Sequence, residues 1–409
     1  MYFIAFLFGT VISYEKLVQF GLPLPYIFGV KHLIATLIMF IYCYSYKCFL
    51  NVRVILIFLV IIFYSFCQLF YNQVNLTSFT ISFIFTFFPI LAFLVGNSIS
   101  MNNNIIKKQV YYLVITSILL AIPAALQGIM GYNLRLYTGL YREAAELGGV
   151  MLVTILYCTY LYRENYLNRR LYYFLLIIPT YIILLQILKK NILVALIFVL
   201  VFVYRERRNL RLKHRILLIT TIMGSLFYLS PQLIENFDDN INYFGNVGIE
   251  GHIRLAMYYT AILINIDTYG LGTGLGSFGS LGSLIGEISL SEGIVYKISP
   301  IYEEYGLTGI AGNSAEKMNS GDAGTLLDTF WPHIFSELGV YISILFISLI
   351  YSLLNFKNNN YIISFIIIAL YLDGLVIILP EAPTFILYSL FFPGLILASV
   401  KHTYNNNSG

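Results

Sequence analysis

Charged side chains that could hold an anion form two short groups in an otherwise apolar sequence. Arg142 lies beside Glu143 and Glu146 where one apolar run begins, and Lys189 and Lys190 separate two further apolar runs. Arginine and lysine suit phosphate and pyrophosphate, because their N–H groups make charge-assisted hydrogen bonds to anionic oxygens. A carboxylate can accept the proton of an attacking hydroxyl group. These residue types therefore favour a site for a phosphorylated ligand.

A further cation, Arg254, lies in a segment whose pattern predicts a helix followed by a tight bend. Residues 252–266 have the pattern of an amphipathic or interfacial helix, and Gly272 and Gly274 follow in a glycine-rich bend. The glycines do not indicate a dinucleotide-binding fold, because no strand–helix–strand context surrounds them. Arg254 is instead placed to face a lipid-linked anion near the membrane plane.

Candidate proton acceptors lie where a polar segment leads into a later apolar run. His333 and Glu337 are four residues apart and so share one helix face, and Asp328 precedes them by one to two turns. Histidine titrates near neutral pH and can serve as a general base. The alternative for His333 is an interfacial ring beside Trp331. The sequence leaves both interpretations open.

The two groups named first also have structural interpretations. Lys189 and Lys190 can extend to the lipid headgroups and cap a helix end. Arg142 can pair with Glu146 one helical turn away, an interaction worth only about 0.2–0.5 kcal/mol. A charge just inside an apolar run is nevertheless expensive and usually faces an internal cavity. For these residues, a role in binding an anion and a purely structural role therefore remain alternatives.

The elements that must position these residues are those of an all-α polytopic membrane protein. Of the 409 residues, 59% are hydrophobic and 11% are charged, which excludes a soluble globular enzyme. A membrane helix needs about 20 mostly apolar residues. About twelve segments meet this need. They lie near residues 2–20, 32–46, 54–71, 78–98, 109–127, 146–162, 171–188, 192–204, 216–230, 334–354, 361–379 and 383–400.

The distribution of basic residues predicts the orientation of these spans. If the N-terminus is cytoplasmic, 15 of the 24 Lys and Arg residues fall in inner connections, as the positive-inside rule requires. Both termini are therefore expected in the cytoplasm. Residues 1–230 then hold nine spans, residues 231–331 form a large outer loop, and residues 332–409 hold three spans and a short tail.

The outer loop is acidic. It carries twelve acidic and three basic residues, so non-specific binding of nucleic acid is not expected. The sequence contains no Cys/His metal cluster and no nucleotide-binding loop. Charges in the middle of the spans are few, with Asp373 the clearest, which disfavours an ion-coupled transporter.

In this arrangement the chain resembles the superfamily of O-antigen polymerases (Wzy) and O-antigen ligases (WaaL). Four segments carry the resemblance: REAAELGGVML, LLQILKKNILVALIFVLVF, IRLAMYYTAILINIDTYGLGTGLGSF and SELGVYISILF. In the second, Lys189-Lys190 stands where the family usually has Ser-Arg. Counting back from Gly339 in the fourth, Asp328 stands where ligases carry His, and His333 follows five residues later.

The resemblance implies a GT-C-like fold and a metal-independent glycosyltransferase without a cofactor, in the bacterial inner membrane. Its substrate would be an undecaprenyl-pyrophosphate-linked oligosaccharide, polymerised at the outer face into O-antigen or capsular polysaccharide. Its partners would be membrane lipids, a chain-length regulator and a flippase. For that reaction we expect Arg142, Lys189, Lys190 and Arg254, with Gly272 and Gly274, to bind the substrate, and Asp328, His333 or Glu143 to accept the proton.

Two other functions remain alternatives. An O-antigen ligase would use the same chemistry to attach finished polymer to a lipid A-core. A polysaccharide exporter or flippase would move the glycan without making a bond.

Overall fold

The computed structural model describes the helical bundle and much of the polar loop. The described residues are 30–49, 51–132, 138, 140–141, 144–186, 253–280, 282–289, 293–308, 312, 315–316, 319, 330–356, 360–373 and 386–398. Three of the predicted spans, near residues 2–20, 192–204 and 216–230, lie outside this set.

Helices dominate the described residues. They are α1 (Val30–Ser45), α2 (Val52–Tyr71), α3 (Leu76–Ser98), α4 (Asn103–Ile129), α5 (Ala144–Arg163), α6 (Arg169–Gln186), α7 (Ile253–Asp267), α8 (Pro300–Glu304), α9 (Phe330–Leu353) and α10 (Asn360–Asp373). The last, α11 (Ile386–Ala398), begins with π-helical turns over Ile386–Phe391. A helix is thus present at each predicted span that the structure describes, and α7 occupies the predicted interfacial helix.

Four of the described helices, α2, α3, α4 and α9, are long and apolar enough to cross a membrane. Shorter apolar helices occupy His32–Ser45, Asn360–Leu372 and Ile386–Ala398. The chain is therefore a helical membrane protein.

The described residues include two short strand pairs that the all-α prediction did not contain. Strand β1 (Lys47–Cys48), which follows α1, pairs antiparallel with β2 (Ile99–Ser100), which follows α3. In the polar loop, β3 (Ile285–Ser289) pairs antiparallel with β4 (Gly293–Lys297), with Glu287 opposite Val295. The polar loop is therefore folded in part as a β-hairpin.

Asparagine caps fix where three of the membrane helices begin. Asn51 accepts a hydrogen bond from the backbone N–H of the second residue of α2, and Asn102 does the same for α4. Asn75 accepts two such bonds at the start of α3. The first N–H groups of a helix have no partner within it, so a cap at the N-terminus stabilises the helix by about 1 kcal/mol.

Glycine allows α3 and α11 to approach each other closely. A Cβ atom on Gly96 would lie 2.3 Å from the carbonyl oxygen of Phe391, and one on Gly394 would lie 2.7 Å from the carbonyl oxygen of Phe93. Small residues at a crossing point let two membrane helices make backbone-to-backbone contact. The same contact leaves no room for any larger residue.

A group of buried hydroxyls joins α4, α5 and α11. The hydroxyl oxygens of Thr154 and Tyr388 lie 2.6 Å apart, and the Ser117 hydroxyl lies 3.0 Å from that of Thr154. The Tyr157 hydroxyl donates to the Tyr388 carbonyl at 2.5 Å, inside the π-helical turns. Because lipid offers no partner for a polar group, such hydrogen bonds tie the helices together.

The two ends of the bundle differ in charge. The basic end contains the turns after α1, α3 and α5, where Lys107 pairs with Glu164 at 2.9 Å. At this end lie Lys47, Arg53, Lys107, Lys108, Arg163, Arg169 and Arg170. The opposite end, the loop end, carries α7 and the glycine-rich turn of residues 270–280.

We predict that Gly96→Ala destabilises the protein by about 1–3 kcal/mol, because the added methyl group overlaps the backbone of α11. The measurement is the thermal unfolding midpoint of the detergent-solubilised protein. Gly312→Ala is the control, since its Cβ would meet only the Ile298 side chain, at 3.5 Å. Equal midpoints for the two variants would contradict the close helix crossing.

Candidate functional site

Helix α9 is broken at Gly339 near the loop end. Gly339 has a φ angle of 76° and a ψ angle of 166°, so the helix stops and restarts within one apolar segment. A break of this kind removes the hydrogen bonds that join residues four apart on either side of it. The carbonyl groups of Phe335, Ser336 and Glu337 and the N–H of Val340 therefore need other partners.

Asn265, on α7, satisfies two of the groups that the break releases. Its side-chain nitrogen donates to the carbonyl of Phe335 at 2.9 Å, and its side-chain oxygen accepts the N–H of Val340 at 3.0 Å. The amide nitrogen also donates to the carbonyl of Ala261 on its own helix at 2.8 Å. A single amide side chain thus bridges both halves of α9 and joins them to α7.

The glycine-rich turn satisfies the remaining carbonyls. The N–H of Thr273 donates to the carbonyl of Ser336, and the N–H of Gly274 donates to the carbonyl of Glu337, each at 2.9 Å. The turn runs so close to α9 that a Cβ atom on Gly272 would lie 2.4 Å from the nitrogen of Gly339. Glycine is required at both crossing positions, because each also has a positive φ angle.

The carboxylate of Glu337 fixes the far side of the same turn. Its Oε1 atom accepts hydrogen bonds from the N–H of Phe278 at 2.9 Å and from the hydroxyl of Ser280 at 2.7 Å, with the N–H of Ser280 at 3.4 Å. Glu337 is fully buried. A buried carboxyl group is costly unless hydrogen-bond donors satisfy it, and the turn supplies three donors to Oε1.

His333 lies one helical turn before Glu337 and beneath the glycine-rich turn. Its Nδ1 atom is 3.7 Å from the Oε2 atom of Glu337, and its side chain is fully buried. A Cβ atom on Gly279 would lie 2.8 Å from the Cβ of His333, so the turn packs directly on the histidine. The predicted sharing of one helix face by His333 and Glu337 is therefore confirmed.

A second layer of the polar loop covers the turn. The hydroxyl of Tyr302 accepts the N–H of Gly279 at 3.0 Å and lies 2.8 Å from the hydroxyl of Ser283. Burial raises the pKa of Tyr302 well above its usual range. At the edge of this layer, Tyr305 donates to Asp267 at 2.9 Å, and burial together with that hydrogen bond raises the pKa of Tyr305 to about 12. Both phenols therefore remain protonated at neutral pH.

Helix α2 holds the turn from the side of the bundle. The Tyr64 hydroxyl and the Gln68 side-chain amide each donate to the carbonyl of Leu271 at 2.5 Å. These two residues lie one helical turn apart on the same face of α2.

Helix α3 holds the end of the turn and the residues just after it. The hydroxyl of Ser82 is 2.5 Å from that of Ser280, and the hydroxyl of Ser78 donates to the carbonyl of Gly282. Together α2, α3, α7 and α9 make the turn a rigid part of the loop end.

Most of the charged residues in the predicted site lie outside the described residues. These are Arg142, Glu143, Lys189, Lys190 and Asp328. For Arg254 the structure gives the backbone, which lies in the first turn of α7, but its side chain is outside the description. Their roles stay predictions.

Gly272 and Gly274 are at the centre of the turn, but their N–H groups already have partners within the chain. Gly272 donates to the Thr268 hydroxyl at 3.0 Å, and Gly274 donates to the Glu337 carbonyl at 2.9 Å. The geometry thus supports a structural role for them, while direct binding of a pyrophosphate by these glycines stays a prediction.

Sequence reasoning missed Asn265 and Gln68, which bind backbone groups of α9 and the turn. The available signal was polarity: each is an amide residue within an otherwise apolar helical segment, where an unpaired polar group is expensive. In the sequence, Gly339 served only as the position from which Asp328 was counted back, although the break in α9 lies at this glycine.

The assembled site is a glycine-rich turn held by hydrogen bonds at the loop end of the helical bundle. Its exposed parts include Tyr269 and Leu271, while His333 and Glu337 lie beneath it. Among the described residues, no group of three or more His, Cys, Asp or Glu side chains is arranged to hold a metal ion. Comparison with protein families, with curated proteins and with solved structures finds no match to this chain.

We predict that Asn265→Leu destabilises the protein by roughly 2–5 kcal/mol, because at least two half-buried backbone groups lose their partner. The measurement is thermal unfolding in detergent. Asn104→Leu, an exposed change on α4, is the control. A midpoint for Asn265→Leu equal to that of the control would show that the break does not depend on this side chain.

Glu337→Ala is expected to loosen the glycine-rich turn more than Glu337→Gln does. The Gln variant keeps an oxygen that accepts the N–H of Phe278 and the hydroxyl of Ser280, whereas Ala removes both bonds, at a cost of about 2–4 kcal/mol. Limited proteolysis between residues 270 and 282 measures the difference. Equal protection of wild type and Glu337→Ala would refute the anchoring role.

Proposed function

We propose that this protein is an O-antigen or capsular polysaccharide polymerase, a glycosyltransferase that joins lipid-linked oligosaccharide repeats at the outer face of the bacterial inner membrane. In this proposal the chain crosses the membrane about twelve times, has a GT-C-like fold and keeps both termini in the cytoplasm. The loop end of the bundle then faces outward.

One observation supports the proposal most. The two segments of the resemblance that lie late in the chain are far apart in sequence, yet they meet in one hydrogen-bonded unit. Gly274 and Thr273 of the first donate to the carbonyls of Glu337 and Ser336 of the second. Two segments that the resemblance places in one site are therefore hydrogen-bonded to each other. They lie at the end of the bundle that is predicted to face outward.

The charge of the bundle supports the proposed orientation. The described turns at the basic end carry seven Lys and Arg residues within or beside them, as expected for a cytoplasmic face. The loop end carries acidic residues such as Asp267, Glu303 and Glu304. Substrate would then be delivered to the loop end from the outer leaflet.

The proposed reaction breaks the bond between a sugar and the pyrophosphate of its lipid carrier. An acceptor hydroxyl on a second lipid-linked repeat attacks the anomeric carbon and loses its proton to a base, while the electron pair of the broken C–O bond leaves with the pyrophosphate. Cations next to that leaving group stabilise the charge that develops there. Arg142, Lys189, Lys190 and Arg254 are the proposed cations.

The proposed base is Asp328 or Glu143, with His333 as the third candidate. His333 is fully buried beneath the glycine-rich turn. This position favours a role for His333 in holding the turn, because a general base must lie within hydrogen-bonding distance of the hydroxyl that it deprotonates. The turn and α7 would then present Arg254 to the substrate from a fixed scaffold.

We predict that deleting the gene in its native host leaves surface glycan with single repeats in place of long chains. Complementation with wild type restores the ladder of chain lengths on a gel. Arg254→Ala is expected to fail, since removing one electrostatic partner of a developing charge typically costs about 10²–10³ in rate. Arg53→Ala, a basic residue at the opposite end of the bundle, is the control and restores the ladder.

The other outcomes identify the competing functions. Bare lipid core with full-length polymer left on the carrier would indicate a ligase. Loss of all surface glycan, with no glycosidic bond formed by the purified protein, would indicate an exporter or flippase. Normal ladders in the deletion strain would contradict all three.

A further inference from the structure

At the basic end of the bundle, the start of α4 packs against the turn that joins α5 to α6. The Lys107 ammonium lies 2.9 Å from the Glu164 carboxylate and also donates to the Glu164 carbonyl at 3.5 Å. One helical turn further along α4, the ring of Tyr111 lies 5.9 Å from that of Tyr166 between centroids. These contacts bring the beginning of α4 and the beginning of α6 to one edge of the bundle.

The same turn is held firmly to α6. The rings of Tyr162 and Tyr172 are stacked, with centroids 4.5 Å apart and planes 17° apart. The side-chain oxygen of Asn168 accepts the N–H of Leu171 at 2.9 Å and so caps the first turn of α6. The residues that begin α6 therefore have a defined position next to α4.

This edge carries a large excess of positive charge. Residues 101–112 and 158–175 contain five basic residues and one acidic residue. Helices α4 and α6 both begin here without an acidic residue in the first turn, so the positive ends of two helix dipoles add to the charge. Within the described residues, no carboxylate pairs with Lys108, Arg169 or Arg170. Repulsion among these cations favours the binding of an anion.

A cation and a tyrosine four residues apart occur at this edge on each of the two helices. On α4, the Lys108 ammonium lies 5.9 Å from the centroid of the Tyr112 ring, and on α6 the Arg169 guanidinium lies 5.7 Å from that of Tyr173. Both rings are exposed. Tyrosine is enriched at the level of the lipid head groups, where a cation beside it can reach a phosphate.

Exposed apolar side chains continue from these cations toward the middle of the bundle. Leu119 shares one face of α4 with Lys108, and Ile177 shares one face of α6 with Arg170. Leu119 and Ile177 are 57% and 61% exposed. In a membrane protein such side chains face hydrocarbon. The ligand that matches this surface has an anionic head group and an apolar tail.

We propose that Lys108, Arg169 and Arg170 bind the phosphate of an anionic glycerophospholipid, whose acyl chains lie along the exposed apolar side chains of α4 and α6. Basic surfaces between membrane helices on the cytoplasmic side are typical sites for such lipids. The proposal does not depend on polymerase activity, because the site lies at the end of the bundle opposite the glycine-rich turn. In the proposed orientation it faces the inner leaflet.

The test is native mass spectrometry of the full-length protein in detergent, titrated with phosphatidylglycerol. Phosphatidylcholine with the same acyl chains supplies the tails without a net charge, and glycerol 3-phosphate supplies the charge without the tails. The variants are Lys108→Gln and Arg170→Gln, both at exposed positions. Arg53→Gln is the matched control, because Arg53 is also an exposed basic residue at the basic end, but lies on α2, which packs against α9.

We expect the wild type to bind phosphatidylglycerol at least tenfold more tightly than phosphatidylcholine. Lys108→Gln and Arg170→Gln should each weaken binding of phosphatidylglycerol about fivefold, the change given by about 1 kcal/mol for each cation near a lipid phosphate. Arg53→Gln should change it less than twofold. Arg170→Lys, which keeps the charge, should also change it less than twofold.

Three results would overturn the proposal. Equal affinity for the two lipids would show that the head-group charge is not recognised. An equal loss of affinity in Arg53→Gln would show that only the net charge of the protein matters. Binding of glycerol 3-phosphate as tight as that of phosphatidylglycerol would indicate a site for a free phosphate compound in place of a lipid.

Discussion

The break in α9 at Gly339 is the constraint on which the rest of the loop end depends. A helix within a membrane protein cannot leave backbone groups unpaired, because the surrounding hydrocarbon offers no hydrogen bonds. Asn265 and the glycine-rich turn supply those partners through five hydrogen bonds, all to groups outside α9. The positions of α7 and of the turn therefore follow from the need to complete α9.

The same arrangement accounts for the buried carboxyl group of Glu337. Glu337 lies just before the break, so its backbone carbonyl binds Gly274 while its carboxylate binds Phe278 and Ser280. Because Glu337 is bonded through both its backbone and its side chain, the position of α9 fixes the turn at two places along its length. In the proposed function this rigidity matters, since cations and bases accelerate a reaction only when their positions are fixed before the substrate arrives.

The helices could be predicted from the sequence because a run of about 20 apolar residues is typical of a membrane-spanning helix. The shared face of His333 and Glu337 followed from their spacing, and α7 followed from its pattern. The break could not be predicted, because a glycine in an apolar run suits close helix packing as well as a positive φ angle. Nor could the role of Asn265, whose partners lie 70 and 75 residues away and are set only by the fold.

Hydrogen exchange of the backbone amides of the protein in nanodiscs tests the central claim most directly, namely that the turn and the broken helix form one unit. The claim predicts that the N–H groups of Thr273, Gly274 and Val340 exchange as slowly as those of the intact part of α9, because each is hydrogen-bonded and buried or half-buried. Exchange of all three within seconds, with α9 itself protected, would contradict it.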